Sequence, residues 1–287
     1  MRRWIYIRLE RMAEEVVISS MREASEVVED AKVADVKSLF DTHVNEGKVV
    51  LVVEGADDRE VYEKVTDASS VCIYVDCNCD KHIVILDALN GRYGNRLLAI
   101  KDADFDRLEG KQYQYSNILL TDTHDMEGMI VEECLSELRG EDAERCKNIN
   151  LIDVYSELED ISFLKWFSYT NHYGINFSGV TINLDITAYF NACVTNTANA
   201  VSVSLGDMYV FKVAHQSVSE KELCNGHDIL ERIYVRAKAA KVGNFAKKQF
   251  FRRLRSAYPK DKFVNTSLYN DIRKWETDNG YVILAAA

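Results

Sequence analysis

Short apolar segments that alternate with helix-forming segments constrain the fold of this chain more than any other feature. The first, Lys48–Val53, is rich in β-branched residues and lacks polar alternation, which is typical of a strand buried on both faces of a parallel sheet. Further strands are predicted at Val71–Asp76, Arg96–Lys101 and Asn117–Leu120, and intervening helices at Asp57–Lys64, His82–Leu89 and Glu127–Leu138. This order predicts an α/β fold, with a Rossmann-like parallel sheet and right-handed crossovers flanked by helices.

The segments on either side of this unit have a different pattern. Glu10–Val44 has helical periodicity and no proline, and it predicts a helical N-terminal segment over residues 1–45. We predict the α/β domain over residues 46–148 and a mostly helical C-terminal lobe over residues 149–287. The predicted helices of the lobe are Val154–Phe167, Ile186–Val194, His227–Lys241 and Phe245–Tyr258.

Composition excludes several classes of protein. A hydrophobic fraction of 47% with 28% charged residues is typical of a soluble globular chain and excludes disorder. No apolar run is long enough to span a bilayer, and the N-terminus lacks the sustained apolar stretch of a signal peptide. The seven scattered cysteines therefore predict reduced thiols in a cytoplasmic protein. Cys72, Cys77 and Cys79, with His82, lack zinc-knuckle spacing, so we favour buried cysteines over a zinc site.

Carboxylates follow the ends of three predicted strands. Glu54 ends the first strand and precedes Asp58 by one helical turn, Asp102 and Asp104 follow the third strand, and Glu127 comes after the fourth. Open parallel sheets bind their ligands at this edge, so these side chains would crowd together and repel one another without a cation. Carboxylate oxygens suit Mg²⁺ or Mn²⁺. The sequence therefore predicts a metal site formed by these five residues.

These motifs resemble those of the Toprim family, the metal-binding fold shared by topoisomerases, primases and OLD-type nucleases. Residues 49–55 are similar to its strand-Glu-Gly opening, and residues 98–104 to its strand-Asp-x-Asp element. A closer resemblance is to small stand-alone Toprim-like proteins. Their motifs EG-x-x-D, D-x-D-F-D, T-D-x-H-D-x-E and G-H-D correspond to residues 54–58, 102–106, 121–127 and 226–228. The resemblance covers about residues 46–138 and the short motif near residue 226.

The resemblance implies a metal-dependent endonuclease that acts as the toxic effector of an antiphage defence system, as in PARIS-type systems. Such an effector stays silent until an ABC-type or AAA-type ATPase partner senses infection. It would then form a homodimer and cut nucleic acid, with RNA, transfer RNA above all, favoured over DNA. Glu54 would act as general acid/base or orient the attacking water. Asp102 and Asp104 would hold one Mg²⁺, while Asp58 and Glu127 complete a second metal position.

Two histidines and two further acids are expected outside the metal set. His124 is predicted to hydrogen-bond a ligand carboxylate. His227 stands where OLD nucleases carry a glycine-lysine pair that contacts the scissile phosphate, a role that requires a protonated ring. Alternatively, His227 lies in the first turn of a helix capped by residue 225 or 226. Asp106 and Asp122 are predicted to be ordinary loop residues.

A basic segment, residues 232–260, stands out in a chain with a net charge of −11. It contains ten basic residues and no acidic one. Its side chains are suited to phosphate contacts and its aromatic rings to stacking on unpaired bases. Alternatively, the rings form the buried face of an amphipathic helix, or the basic face docks on an acidic partner. The residues predicted to bind nucleic acid are Lys238, Lys241, Lys247, Lys248, Arg252, Arg253 and Arg255.

Two other functions remain compatible with the sequence. One is a phosphatase with an aspartyl nucleophile in its Asp-x-Asp pair, which leaves Glu54-Gly55 unexplained and requires a later lysine near the site. The other is a non-catalytic module that binds an ATPase and nucleic acid without cutting. Substitution of Glu54 separates a nuclease from a binding module, because only the nuclease would lose its function.

Overall fold

The computed structural model describes residues 29–76, 81–198, 202–240, 243 and 245–285, without the side chains of residues 44, 81 and 82. Residues 29–41 form helix α1, which a 3-10 turn at His43–Asn45 follows. The earlier part of the predicted N-terminal helix lies outside the described residues. Cys77 and Cys79 lie outside them too, and the described cysteines are free thiols, so the zinc alternative stays open.

Four strands form one parallel sheet with the order β2-β1-β3-β4. They are β1 (Val49–Val53), β2 (Val71–Val75), β3 (Leu97–Lys101) and β4 (Ile118–Leu120). Every residue of the two central strands, β1 and β3, is buried, as the continuous apolar runs predict. The predicted α/β fold with a Rossmann-like parallel sheet is therefore confirmed.

Helices cover both faces of the sheet. Those of the first half are α2 (Ala56–Val65), α3 (Lys81–Tyr93) and α4 (Met126–Glu137). A short helix α5 (Gly140–Cys146) follows α4. The lobe contains α6 (Leu151–Thr170), α7 (Ile186–Thr195), α8 (Leu205–Ala214), α9 (Glu220–Leu223), α10 (Gly226–Ala239), α11 (Lys247–Ser256) and α12 (Ser267–Asn279). The lobe is mostly helical as predicted, although the sequence did not indicate α5, α8, α9 or α12.

One hydrophobic core joins the two halves of the chain. The alternate residues Leu51 and Val53 of β1 belong to the same core as Trp166 of α6 and Ile272 of α12. The intervening residues of β1 face a smaller core that includes α1 and α3. Helices α10 and α11 pack on α4, and α12 packs on β4. The boundary predicted near residue 148 therefore does not separate two independent cores.

The end of β4 is tied directly to the last helix. Asp122 Oδ2 accepts a hydrogen bond from the backbone N–H of Ser267 at 2.6 Å, and its Oδ1 accepts one from Leu268 at 2.8 Å. These contacts satisfy free N–H groups at the start of α12. Asp122 is therefore not an ordinary loop residue, contrary to the prediction. Within the described part of the chain, no helix has both the length and the apolar character needed to cross a membrane.

Candidate metal centre

Glu54 and Asp102 follow the two central strands, and the parallel register brings them together. Glu54 Oε1 accepts a hydrogen bond from the backbone N–H of Asp102 at 3.0 Å. Asp102 Oδ1 accepts one from Met126, the first residue of α4, at 3.1 Å. Burial raises the pKa of Asp102 well above its ordinary value, and Asp125 and Asp58 raise it further. Acidic neighbours thus surround this partly buried carboxyl group.

Helix α2 adds Asp58 and Tyr62, one turn apart on its buried face. The Gly55 N–H donates to Asp58 Oδ2 at 2.7 Å, which fixes this carboxylate at the start of the helix. Burial, and then Glu127, raise the pKa of Asp58 to about 7. The Tyr62 hydroxyl, in a residue only 1% exposed, has no hydrogen-bond partner among the described residues. Burial and the nearby Asp58 and Asp102 carboxyls also raise its pKa.

Asp125, Glu127 and His227 form an adjoining group, whose ligand atoms lie within 4.8 Å of one another. Asp125 is the buried N-cap of α4, and its Oδ1 accepts the N–H of Gly128 at 2.8 Å. Its Oδ2 accepts the N–H of Gly226 at 2.6 Å, which connects α4 to α10. Burial, and then Glu127, raise the pKa of Asp125 well above its ordinary value.

Close packing at Gly226 positions His227 beside these carboxylates. A Cβ atom on residue 226 would lie 2.1 Å from Asp125 Oδ1 and 2.6 Å from Glu127 Cβ, so only glycine fits without displacement. The Asn225 side chain caps α10 by accepting the N–H of His227 at 3.0 Å. His227 therefore lies in the first helical turn, as one alternative predicted, and this turn is also part of the acidic centre.

Asp104 has different partners from Asp102 although only one residue separates them. Its backbone is left-handed, with φ of 46°. Its Oδ2 accepts a hydrogen bond from Lys101 Nζ at 2.9 Å, and its Oδ1 lies 3.9 Å from His124 Nε2. Burial lowers the pKa of His124, against the opposing effect of Asp104. Asp104 therefore has a lysine counter-charge, whereas Asp102 lies among other acids, and the expectation that the two hold one ion together stays a prediction.

Asp106 is buried in an ion and hydrogen-bond network, and the prediction of an ordinary loop residue is wrong. Lys101 and Lys111 place Nζ at 3.3 and 3.1 Å from its carboxylate. The hydroxyls of Tyr169, at 2.7 Å, and Tyr113 also donate to it. Burial alone would raise the pKa of Asp106, but the tyrosine hydroxyls and Lys101 outweigh burial and lower it.

The basic segment is largely ion-paired within the chain. Intramolecular pairs join Arg232 and Arg236 to Glu157, Lys247 to Glu231 and Arg253 to Asp142. Within the described ranges, the predicted nucleic-acid contacts that are exposed and have no acidic partner within 4 Å are Lys238, Lys248 and Arg252. Lys241 lies outside these ranges. The free positive surface is therefore smaller than the sequence suggests.

The aromatic rings of this segment face the protein interior. Phe250 is fully buried and Tyr258 is 4% exposed. Tyr234 stacks on Phe245 with ring centroids 4.9 Å apart, and Phe245 lies 4.8 Å from Phe250. The interpretation of a buried amphipathic face is confirmed for these rings.

Arg255 lies at the edge of the acidic centre rather than on an exposed face. Its Nη2 donates to Asp57 Oδ1 at 2.7 Å, and its Nη1 lies 4.0 Å from Glu127 Oε1. Its buried Nε has no hydrogen-bond partner within the described part of the chain. The guanidinium thus brings one positive charge to a centre rich in carboxylates.

The side chains of this centre form a donor set that fits a hard divalent cation. Its donors are mainly carboxylate oxygens, and three of its carboxyl groups have raised pKa values. The buried Tyr62 hydroxyl beside them has no hydrogen-bond partner in the part of the chain that the structure describes. The ligands predicted from the sequence did not include Asp125, although it lies among the acids of the motif at residues 121–127. Sequence reasoning also missed Tyr62, which the i, i+4 spacing from Asp58 could have indicated. Nothing in the sequence separated Arg255 from the other basic residues.

Comparison of the chain with protein-family models, with curated proteins and with solved structures finds no match in any of the three.

Proposed function

We propose that this chain is a metal-dependent phosphodiester hydrolase of the Toprim type that cuts nucleic acid. The observation that carries this proposal is the convergence of Glu54, Asp58, Asp102, Asp125 and Glu127 at one edge of the sheet. Carboxylates in this number repel one another, so the ionised cluster requires a cation. Their hard oxygen donors suit Mg²⁺ or Mn²⁺.

Two adjoining groups of this chain would hold the metal. Asp125, Glu127 and His227, whose ligand atoms lie within 4.8 Å of one another, would form one set. Glu54, Asp58 and Asp102, which lie beside them, would form the other. A bound divalent ion would stabilise charge on the phosphoryl oxygens and lower the pKa of a bound water. This assignment adds Asp125 and His227 to the predicted ligands and leaves Asp104 outside them.

The chain's own groups have separate roles in this proposal. The backbone N–H of Asp102 holds the Glu54 carboxylate, which would orient the attacking water or accept its proton. The Arg255 guanidinium, whose Nη1 lies 4.0 Å from Glu127 Oε1, would contact a non-bridging phosphate oxygen held at the carboxylates. His227 is exposed on the first turn of α10, where it would bind metal as a neutral ring or phosphate as a cation.

The finer parts of the proposal rest on the motif resemblance in residues 46–138 and 226–228. They are a cytoplasmic antiphage effector, activation by an ABC-type or AAA-type ATPase, a homodimeric active form and RNA, transfer RNA above all, as substrate. Lys238, Lys248 and Arg252 would contribute the salt-sensitive contacts to the phosphate backbone.

A nuclease assay of the purified chain tests the proposal. Transfer RNA, single-stranded RNA and plasmid DNA are incubated with Mg²⁺, with Mn²⁺ and with EDTA. The variants are Glu54→Gln and Asp102→Asn, and Glu63→Gln on the exposed face of α2 is the matched control. We expect metal-dependent cleavage that falls about 10²- to 10⁴-fold in the first two variants and stays unchanged in the control.

Two outcomes would contradict the nuclease. Cleavage that persists in EDTA or in Glu54→Gln would assign the activity to another site or to a contaminant. A chain that binds Mg²⁺ and nucleic acid without cutting under any of these conditions would favour the non-catalytic binding module.

A further inference from the structure

A cavity of about 590 Å³ opens beside the candidate metal centre. Its lining includes the aromatic rings of Phe105, Tyr169 and Phe177, together with the polar side chains of Asp104 and His124. Its volume falls within the range of about 300–1,000 Å³ that is typical of sites for small organic ligands. The cavity is therefore large enough for a heterocyclic ring and its substituents.

Three chain segments run directly from the metal centre into this cavity. Asp104 follows Asp102 by two residues, His124 directly precedes Asp125, and the third segment joins Asn225 to His227. Because consecutive Cα atoms are about 3.8 Å apart, these steps span at most about 8 Å. A group bound in the cavity would thus lie close to a phosphate held at the carboxylates.

The aromatic walls of the cavity are held in place by the surrounding structure. Phe105 is 8% exposed and packs edge-on against His124, with centroids 4.8 Å apart, and lies 5.5 Å from Tyr169. The Tyr169 hydroxyl donates to buried Asp106, which fixes a ring that is 39% exposed. Rigid rings of this kind offer stacking surfaces at a low entropic cost.

The charges around the cavity are already neutralised within the chain. Lys101 pairs with Asp104, and Lys165 of the lining pairs with Asp228 while its Nζ lies 5.9 Å from the Phe177 ring centroid. A free phosphate would find no excess positive charge here. A flat, uncharged heterocycle fits better, since it can stack on the rings and donate amino hydrogens to Asp104.

We propose that this cavity holds one unstacked nucleobase of a single-stranded segment whose backbone phosphate lies at the metal centre. The inference rests on the proposed function and narrows its substrate to single strands, loops or extruded nucleotides. Phe250 and Tyr258 of the basic segment are buried and offer no stacking surface. The rings that line the cavity beside the carboxylates are those of Phe105, Tyr169 and Phe177.

Fluorescence anisotropy with labelled RNA tests this inference independently of cleavage. The probes are a 12-nucleotide single strand, the same strand in a blunt duplex, and adenosine monophosphate as a competitor. The protein carries Glu54→Gln in Mg²⁺, and the wild-type chain is measured in EDTA. Tyr169→Ala and Phe177→Ala remove rings, while Tyr169→Phe keeps the ring. Tyr209→Ala removes a tyrosine on α8 that is 40% exposed and lies outside the cavity lining.

We expect Tyr169→Ala and Phe177→Ala each to weaken binding of the single strand about fivefold to 150-fold, the effect of losing one stacked base. Tyr209→Ala should bind like the parent, and Tyr169→Phe should bind more tightly than Tyr169→Ala because it keeps the ring. The duplex should bind more weakly than the single strand. Circular dichroism of each variant confirms that the fold is retained. Because Tyr169 is exposed and Phe177 is half-buried, at least one truncation is expected to fold.

Three results would overturn the inference. They are parental binding of the single strand by both truncated variants, duplex binding as tight as that of the single strand, and adenosine monophosphate binding as tightly as the strand with the same dependence on the rings. The last result would identify a free-nucleotide site. If the wild-type chain cleaves nucleic acid but the ring variants bind the strand like the parent, the proposed nuclease stands and the base site is refuted. If binding depends on the rings but no cleavage is detected, the base site stands and the nuclease is refuted.

Discussion

Asp102 and Asp106 lie four residues apart after the same strand, and their carboxyl groups have pKa values displaced in opposite directions. Burial and the neighbours Asp125 and Asp58 raise the pKa of Asp102. Two tyrosine hydroxyls and Lys101 lower the pKa of Asp106, although burial opposes them. The chain therefore supplies its own counter-charges to one acidic region and leaves the other with an excess of negative charge.

This contrast separates structural acids from candidate ligands among Asp102, Asp104 and Asp106, which the sequence motif alone does not distinguish. In the sequence D-A-D-F-D, the second and third aspartates have lysine Nζ atoms at 2.9 to 3.3 Å. The first accepts the Met126 N–H and lies among other acids. A buried carboxylate with a paired cation contributes to folding, and removing one partner of such a pair is costly. A crowded carboxylate without a cation gains stability when its charge is removed.

The largest expected effect is an opposite response of these two residues to the same substitution. Asp106→Asn should lower the free energy of unfolding by about 3–5 kcal/mol, because it leaves Lys101 buried without its full complement of charge. Asp102→Asn keeps the oxygen that accepts the Met126 N–H and should leave the metal-free protein equally stable or more stable. Urea unfolding in EDTA measures both. Equal destabilisation by the two variants would refute the contrast.

The pH dependence of metal-free stability should show the same excess of negative charge. The acidic centre keeps protons that the unfolded chain has already released, so the free energy of unfolding should fall as pH rises from about 5 to 7. The decrease in the free energy of unfolding over this interval should be on the order of a few kcal/mol, since one pKa unit corresponds to about 1.4 kcal/mol. Urea unfolding in EDTA at several pH values measures it, and Asp58→Asn should flatten the curve near pH 7. A stability that rises over this interval would argue against the shifts.

Divalent cations should stabilise the acidic centre and leave the lysine-paired region unaffected. At a Mg²⁺ concentration 100 times its Kd, the gain in free energy of unfolding is about 2.7 kcal/mol. We expect this gain to disappear in Asp102→Asn and to persist in Glu63→Gln, as measured by thermal unfolding with Mg²⁺ and with EDTA. Equal gains in both variants would place the cation elsewhere.

A smaller effect on stability should follow from disturbing the close packing of the N-terminus of α10 against the acidic centre. Gly226→Ala would force a Cβ into Asp125 and Glu127, at a cost of about 1–3 kcal/mol. Gly91→Ala is the matched control, because nothing lies within 4 Å of its Cβ position in the last turn of α3. That change should stabilise the helix by at most about 0.5–1 kcal/mol. If Gly226→Ala were as harmless in urea unfolding, the close approach of α10 would be in doubt.

Local pattern was enough to predict the sheet. The β-branched run at Lys48–Val53 indicates a strand buried on both faces, and the acids that follow each strand mark its carboxyl end. Both signals come from residues that are neighbours in the sequence. Helix α12 has local signals that the prediction left unused, the Thr266 N-cap and Gly280 at its C-terminus. Its contact with Asp122, 145 residues away, is not encoded by neighbouring residues. The position of Arg255 depends in the same way on a contact with Asp57 across 198 residues. Sequence thus indicated which acids face the edge of the sheet but not which of them the chain neutralises.

The contact between Asp125 and Gly226 also has a consequence for the timing of biosynthesis, since 101 positions separate the two residues. At typical rates of synthesis, roughly 5 to 20 s pass between the emergence of one and of the other. During that interval the strand ends and their carboxylates exist, but the turn that carries His227 does not. A chain terminated before Gly226 would therefore lack the backbone N–H group that holds Asp125 and the turn that completes the acidic centre.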